Sequence, residues 1–257
     1  VSDDRIHPAA SLGFEVAVEH YERGRPTYPD DAVTYLVREL GIAEGRDVLE
    51  LGAGTGKFTE VIVHTGARIT GVEPVPAMRA ALERNCPTVR VLDGTAEVIP
   101  TEDAAFDTVL AAAAFHWFDG GRALPEIHRV LRPEGALGMI WNARDEASDW
   151  SERLTEIFDR LAGEGGPRYR SGRWRVAFER SELFGPLHHR LAYHVHRVTP
   201  EVFLDRVLSV SYVAAASDDE RDQVRAEVEE LLATDPELRG DEIAIPYRAD
   251  VFWTWRR

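Results

Sequence analysis

The sequence predicts an α/β protein: one mostly parallel sheet with helices on both faces. Three observations predict it. Short apolar runs alternate with segments of helical periodicity through the first half of the chain. One run, Val48-Leu49-Glu50-Leu51, stops at a glycine-rich turn, and a helical segment follows at once. The second half returns to strand-like alternation only twice, at Leu191 to Val198 and at Ile243 to Trp255. Strands separated by helical segments pair in parallel, because each crossover helix carries the chain back to the same end of the sheet.

Bulk properties bound the answer. At 257 residues the chain can bury a full core, and it suits one domain spanning 1–257. Its 44% hydrophobic and 29% charged residues are ordinary for a globular protein. No run approaches the roughly 18 apolar residues of a membrane span, and VSDDRIHPAA lacks a basic-then-apolar signal pattern. A single cysteine, Cys86, excludes an internal disulfide. The expectation is a cytoplasmic protein, monomer or homodimer, with no membrane partner. A net charge of −15 argues against nucleic acid as main partner, since phosphate binding needs a positive surface.

Residues 1–30 read as an irregular lead-in, with Pro26 and Pro29 barring a long helix across the polar, aromatic segment that begins at His20. Asp30 or Asp31 caps the next helix, whose apolar positions Val33, Leu36, Val37 and Leu40 follow a 3.6-residue period up to Gly41. The first strand follows, then the glycines and a helix over Phe58 to His64. Further strands are expected at Arg68 to Val72, Val89 to Leu92, Phe106 to Ala112 and Ala136 to Trp141. Helices fall at Val75 to Glu83 and at Ala123 to Leu131, the latter closed by Pro133 and Gly135.

Beyond Asn142 the pattern becomes helical: Ser148 to Leu161, Pro200 to Val213 and the acidic Asp218 to Ala233, with a Gly/Arg-rich segment over Gly163 to Arg175. The organisation is then a cofactor-binding core over 41–142, helical lid insertions over 143–240 around strand six, and a terminal antiparallel strand over 241–257. Insertions at strand ends are where a substrate lid sits.

The turn itself reads Gly52-Ala53-Gly54-Thr55-Gly56-Lys57. A dinucleotide fingerprint needs G-x-G-x-x-G, and Lys57 occupies the place of the third glycine. A P-loop needs G-x-x-x-x-G-K-[ST]; Phe58 follows Lys57, and Gly52 lies one position too close. What remains is a turn whose glycines let a ligand approach the main chain, leading into a helix N-terminus with unpaired N–H groups. Glu73 ends the second strand roughly 20 residues later, where an acid can accept hydrogen bonds from both hydroxyls of a ribose.

With Glu50, the turn becomes E-x-G-x-G-x-G, and this resembles the first motif of class I S-adenosylmethionine-dependent methyltransferases. Ala114 to Asp119 and Ile127 to Gly135 resemble the fourth-strand and following-helix signatures of the small-molecule members. Tyr21-x-x-x-Arg25-Pro26-x-Tyr28-Pro29 resembles the segment that folds over the cofactor in trans-aconitate methyltransferase-like enzymes. The resemblance implies a Rossmann-like sheet of seven strands, mostly parallel with an antiparallel last strand, and S-adenosylmethionine as cofactor.

It also implies a site. Glu50, Gly52, Ala53, Gly54, Thr55 and Gly56 form the turn, and Glu73, Pro74 and Met78 follow the second strand. After strand three, Gly94, Thr95 and Ala96 lie beside the adenine; Thr95 stands where the family commonly has an acid, a role that could pass to Asp93. After strand four, Ala113, Phe115 and Trp117 wall the methionine part, although Phe115 and Phe118 equally suit core packing. Tyr21 and Arg25 cover the cofactor, Arg25 offering a planar fork to a carboxylate. His116 is the candidate general base, since an unperturbed imidazole titrates at about 6.5; positioning without a dedicated base is the alternative.

Tyr28, His116, Trp117, Trp174 and Tyr212, with Tyr169, are the candidate residues for a small-molecule methyl acceptor. Arg168, Arg170, Arg173 and Arg175 favour an anionic one. No cluster has metal-ligand spacing; His188, His189, His194 and His196 come nearest and read as a sheet-surface pattern. The rival functions are a non-catalytic or non-methylating S-adenosylmethionine-binding protein and, disfavoured by charge, an RNA methyltransferase.

Overall fold

The computed structural model describes residues 6–16, 18–146, 148–163 and 166–257. The first five residues of the lead-in, and Glu164 and Gly165 of the Gly/Arg-rich segment, lie outside the described residues. In chain order the elements open with helices α1 (Pro8–Val16), α2 (Val18–Gly24) and α3 (Asp30–Glu39) and strand β1 (Asp47–Leu51). Helix α4 (Thr59–Ile62), β2 (Arg68–Val72), α5 (Pro76–Asn85), β3 (Arg90–Leu92) and β4 (Phe106–Ala112) follow. Next come α6 (Gly120–Val130), β5 (Leu131–Arg144), α7 (Asp149–Ala162), α8 (Arg175–Glu179) and β6 (His188–Val198). The chain closes with α9 (Pro200–Leu208), α10 (Ser211–Ala214), α11 (Asp218–Thr234) and β7 (Ile243–Trp255).

The strands form one seven-stranded sheet in the order β3-β2-β1-β4-β5-β7-β6. β1 pairs in parallel with β2 and β4, β2 with β3, and β4 with β5. The β5-β7-β6 edge is antiparallel. The reversal of strand order beside β1 makes the crevice at its carboxyl end the expected ligand site of an open α/β sheet.

Alternate strand residues enter different cores. Leu49, Leu51, Val109, Leu137 and Met139 belong to one cluster, while Val48, Leu110, Ala136 and Ile140 belong to another. This period of two, with both faces buried, explains why these strands read as continuous apolar runs.

The residues group into two compact units, one of 27–142, 167–192 and 249–257 and one of 1–26, 143–166 and 193–248. The first holds the glycine turn. The second has its own core, in which Trp150, Leu154, Phe203, Val224, Val228 and Tyr247 are buried.

Several local expectations need correcting. The lead-in is not irregular: its described residues form α1 and α2, both of which end before Pro26 and Pro29. Gly13 and Gly24 let them dock backbone to backbone, since a Cβ would lie 2.3 Å from the Ser211 carbonyl oxygen and 2.4 Å from Arg206 N respectively. Asp205 of α9 fastens α2, accepting from Arg23 Nε at 2.7 Å and bonding His20 Nδ1 at 2.5 Å.

The expected helix over 200–213 breaks after Leu208 into α9 and α10. The helix after the glycine turn keeps only four α residues before a 3₁₀ turn over Val63–Thr65. Its sequence is β-branched at Thr59, Val61, Ile62 and Val63, which crowds the helical backbone. β5 runs well beyond the expected Ala136 to Trp141 at both ends, and the Gly/Arg-rich segment carries a 3₁₀ turn, Tyr169–Ser171, before α8.

Candidate active site

The site grows from the end of β1. Gly52, Gly54 and Gly56 all have positive φ, at 64°, 59° and 96°. Two of them are closed by packing: a Cβ on Gly52 would lie 2.8 Å from Ala114 Cβ, and one on Gly56 2.9 Å from Leu82 Cδ1. Around Gly54 the same construction meets nothing within 4 Å. The turn therefore presents one bare backbone position to open space, held in place by Asn85 Nδ2 donating to the Thr55 carbonyl at 2.9 Å.

Two carboxylates stand behind it. Glu73 is 5% exposed, and its oxygens accept from Gly54 N at 2.8 Å and Val75 N at 3.0 Å. Burial pushes its pKa up to about 7, against the opposing pull of the Val75 and Gly54 N–H groups. Each oxygen retains lone-pair capacity beyond its one backbone bond, so two further donors can be accommodated. Glu50 is 1% exposed and accepts from Thr59 Oγ1 at 2.6 Å. Burial, with the charge of Glu73 adding to it, raises its pKa to about 8 despite the Thr59 hydroxyl.

Arg79, a residue the sequence reading passed over, ties the next two strand ends together. Its Nη1 donates to the carbonyls of Glu73 at 2.8 Å and Pro74 at 2.7 Å and to Asp93 Oδ1 at 3.2 Å. Asp93 is thereby engaged with Arg79. Beyond it Thr95 and Ala96 are buried, and a bridge pairs Thr95 with Val98. Glu97 reaches across to accept from Asp119 N at 2.8 Å, linking this turn to the segment after β4.

That segment opens with Ala113 at φ 50°, a left-handed conformation uncommon for a residue with a side chain. A 3₁₀ turn, Phe115–Trp117, follows. Phe115 is buried, its ring 5.4 Å from Phe118, 5.1 Å from Phe178 and 6.2 Å from Trp174 between centroids. For Phe115 the structure thus carries the core alternative rather than an open wall. His116 and Trp117 are only partly buried, and Trp141 Nε1 donates to His116 Nδ1 at 3.1 Å.

Trp141, from β5, is also the centre of an aromatic stack. Tyr169 lies 4.7 Å from it and Trp174 4.8 Å, at interplanar angles of 21° and 31°. The Arg175 guanidinium lies 5.2 Å from the Trp174 ring centre and 5.1 Å from that of Phe252.

Gly52 to Gly56, Glu50 and Glu73 thus form one group at the ends of β1 and β2, and His116, Trp141, Tyr169 and Trp174 form another; Gly52, where a Cβ would meet Ala114, touches the segment that carries His116. Met78 is fully buried on α5, and Tyr28 packs its ring against Phe58 at 5.0 Å, both as core residues. Tyr21, Arg25 and Tyr212 belong to the second unit. There Arg25 lies 4.9 Å over the Tyr21 ring and donates from Nη2 to the Ser209 carbonyl at 3.1 Å. Tyr212, with His7, Leu12 and Leu161, lines a cavity of about 400 Å³. His194 and His196 both rest against the Tyr247 ring. Among the described residues no group of three or more His, Cys, Asp or Glu could hold a metal ion.

Trp141 is the main omission of the sequence reading, which used it only to end a strand. A tryptophan at the carboxyl end of a sheet strand, with an N–H that needs a partner, was the signal available.

A Rossmann-like sheet with an acid-flanked glycine turn and a second acid at the next strand end defines a nucleotide-cofactor fold of the methyltransferase type. The comparisons agree. Residues 49–139 match the family described as "Methyltransferase domain". An uncharacterized methyltransferase of Mycobacterium tuberculosis is 41% identical over 238 residues, covering 92% of this chain and 93% of its own. The YcgJ protein from Bacillus subtilis shares the fold at a TM-score of 0.55 and 19% identity, over 89% of this chain and 99% of that one. So does phosphoethanolamine N-methyltransferase 2 of Haemonchus contortus, solved with phosphomonomethylethanolamine and S-adenosylhomocysteine. Its TM-score is 0.56 and its identity 16%, over 100% of this chain and 60% of that one. The chain belongs to the S-adenosylmethionine-dependent methyltransferase family and is a transferase with the Rossmann-like fold of that family.

Proposed function

We propose that this protein transfers a methyl group from S-adenosylmethionine to a small molecule, in the cytoplasm, by direct in-line displacement. The observation that carries the reading is Glu73, a buried carboxylate bonded to the bare position of the glycine turn at Gly54 N. Residues and cofactor suit each other in three respects. Glu73 has acceptor capacity for two ribose hydroxyls. Gly54 leaves open space where a ligand would approach the backbone. Thr55 Oγ1 is buried with no hydrogen-bond partner among the described residues.

When bound, S-adenosylmethionine supplies a methyl group already electrophilic on its sulfonium. The chain's own task is to hold, orient and exclude water. In this reading Glu73 holds the ribose, and the backbone of Gly52 to Gly56 holds the methionine end, with Glu50 behind it. Pro74 and Met78 shape the ribose side, and Gly94, Thr95 and Ala96 flank the base. Ala113 and Trp117 border the reacting region, and Trp174 with Trp141 and Tyr169 supplies an apolar wall for the acceptor. Tyr28 completes the proposed acceptor residues of this unit. The Haemonchus contortus enzyme of the same fold was solved with the small molecule phosphomonomethylethanolamine, in line with this reading. The net charge of −15 stands against an RNA substrate.

The test is methyl transfer from radiolabelled S-adenosylmethionine to a panel of small carboxylates, amines, phenols and thiols, with transfer RNA as a control. Label moving to one class of small molecule and not to RNA supports the proposal. Transfer to RNA alone, or cofactor binding without any turnover, contradicts it.

A further inference from the structure

A second aromatic group lies on the other face of the sheet from Trp141, within the same unit. Trp253 of β7 and Tyr35 of α3 belong to the core cluster of Val48 and Ile140, whereas Trp141 and Phe252 belong to the cluster on the opposite face. The Tyr35 and Trp253 ring centres are 5.3 Å apart, and His188 of β6 stacks on Trp253 at 5.4 Å. Three strands stand between β6 and β1, so β6 lies about 19 Å across the sheet from the strand that carries the glycine turn.

Two guanidiniums share the Tyr35 ring. Arg190 from β6 lies 4.2 Å from its centre and Arg38, one turn along α3, lies 5.8 Å from it, so the two charges are no more than about 10 Å apart. Both residues are exposed, and neither pairs with a carboxylate among the described residues. At the start of β1 the same residue type is matched: Arg46, Arg68 and Arg132 neutralise Asp47 and Asp107. On Tyr35 two like charges are brought together and left uncompensated, a repulsion that a bound anion would relieve.

A third donor stands unmet beside them. Trp253 is 5% exposed, and its Nε1 is buried with no hydrogen-bond partner among the described residues. Buried N–H groups are nearly always paired, and an indole can only donate. The partner this group calls for is therefore an acceptor. Guanidinium forks match the oxygens of a carboxylate or a phosphate, and two forks at this spacing suit a molecule that carries two such groups.

We propose that Arg38 and Arg190, with the Trp253 N–H beside the tyrosine they share, form a second ligand site that holds a small dianion, a diphosphate or a dicarboxylate. The site is separate from the glycine turn and independent of the methyl-transfer reading.

The experiment is titration of the whole ¹⁵N-labelled protein at low salt with pyrophosphate and with succinate, following the Trp253 indole N–H by nuclear magnetic resonance, with putrescine as a dication control. The expected result is a saturable shift of that resonance by a dianion, none by putrescine, and weaker binding as salt is raised. Preference for pyrophosphate assigns a phosphate ligand, and preference for succinate a carboxylate. Arg38→Ala and Arg190→Ala, both at exposed positions, should each weaken binding about tenfold, the loss of a charged donor. The double variant should abolish it and keep the wild-type affinity for S-adenosylhomocysteine.

No saturable binding of either dianion, equal binding of putrescine, or binding that survives in the double variant (an adventitious ion only) overturns the proposal. So does a Trp253 N–H that stays still as the dianion binds, or a dimer in sedimentation that depends on Arg190, which would give the cations to a second copy of the chain. Wild-type protein that fails to bind S-adenosylhomocysteine would instead remove the methyltransferase reading and leave the Trp253 titration readable.

Discussion

The two ends of strand β1 handle carboxylates in opposite ways. At its start, Asp47 is gripped by Arg68 through two bonds of 2.7 and 2.8 Å and by Arg132 at 2.8 Å. Asp107, beside it, accepts from Arg132 at 2.7 Å and Arg46 at 3.1 Å. Arg68 above all holds Asp47 below the ordinary carboxylate range. Asp107 also lies below it: burial pushes it up, but the Asp47 N–H and Arg132 outweigh that push. At the other end, burial lifts Glu50 to about 8 and Glu73 to about 7. Cations hold one end ionised and stable. The other end keeps poorly compensated acids beside a bare glycine, an arrangement that costs stability and makes sense as a binding site.

The contrast breaks most sharply at Gly54. Its φ of 59° and the open space around it mean that Gly54→Ala strains the fold by about 1 kcal/mol. The new Cβ would stand in the ligand's approach, so S-adenosylhomocysteine affinity should fall about 30-fold or more by calorimetry. Equal affinity would place the cofactor elsewhere. At the opposite end the expected pattern reverses. Arg132→Ala, which frees two carboxylates at a half-exposed position, should cost about 1–2 kcal/mol, or about 2–6 °C in Tm, with cofactor affinity unchanged.

pH sharpens the same comparison. Glu50 and Glu73 have folded pKa values raised above their unfolded value near 4.5, so the folded protein holds protons the unfolded chain releases. Their contribution to stability falls as pH rises from about 4.5 to about 8 and is level beyond. Asp47 and Asp107 act oppositely: their depressed values contribute stability above about 3.8, lost as pH falls through the folded values. Glu50→Gln keeps an acceptor for Thr59 and should flatten the decline of Tm between pH 5 and 8. An unchanged slope would mean Glu50 is ionised in the fold. The smallest effect belongs to Arg68→Ala, whose side chain is 63% exposed; a few tenths of a kcal/mol is expected from denaturant unfolding.

The sheet core was legible because its strands are buried on both faces and read as unbroken apolar runs, as Arg68 to Val72 and Phe106 to Ala112 do. The glycine turn was legible because its backbone demands particular residues. What escaped was tertiary. Helices α1 and α2 were hidden because Pro26 and Pro29 dominated the reading, while the helix-to-helix contacts that Gly13 and Gly24 permit involve residues nearly 200 positions away, at Ser211 and Arg206. The break after Leu208 leaves the apolar period intact and so leaves no local trace. His116 was visible as a chemical group, but its partner Trp141 lies on β5, out of reach of any local pattern.

The most direct test of the central claim is calorimetric titration of the wild type and Glu73→Ala with S-adenosylhomocysteine, with NAD as control. The account predicts micromolar binding of S-adenosylhomocysteine, none of NAD, and a loss of about 100-fold in the variant, as removing a buried acceptor of two hydroxyls should give. Binding of NAD in preference, or a variant that binds as tightly as the wild type, would contradict it.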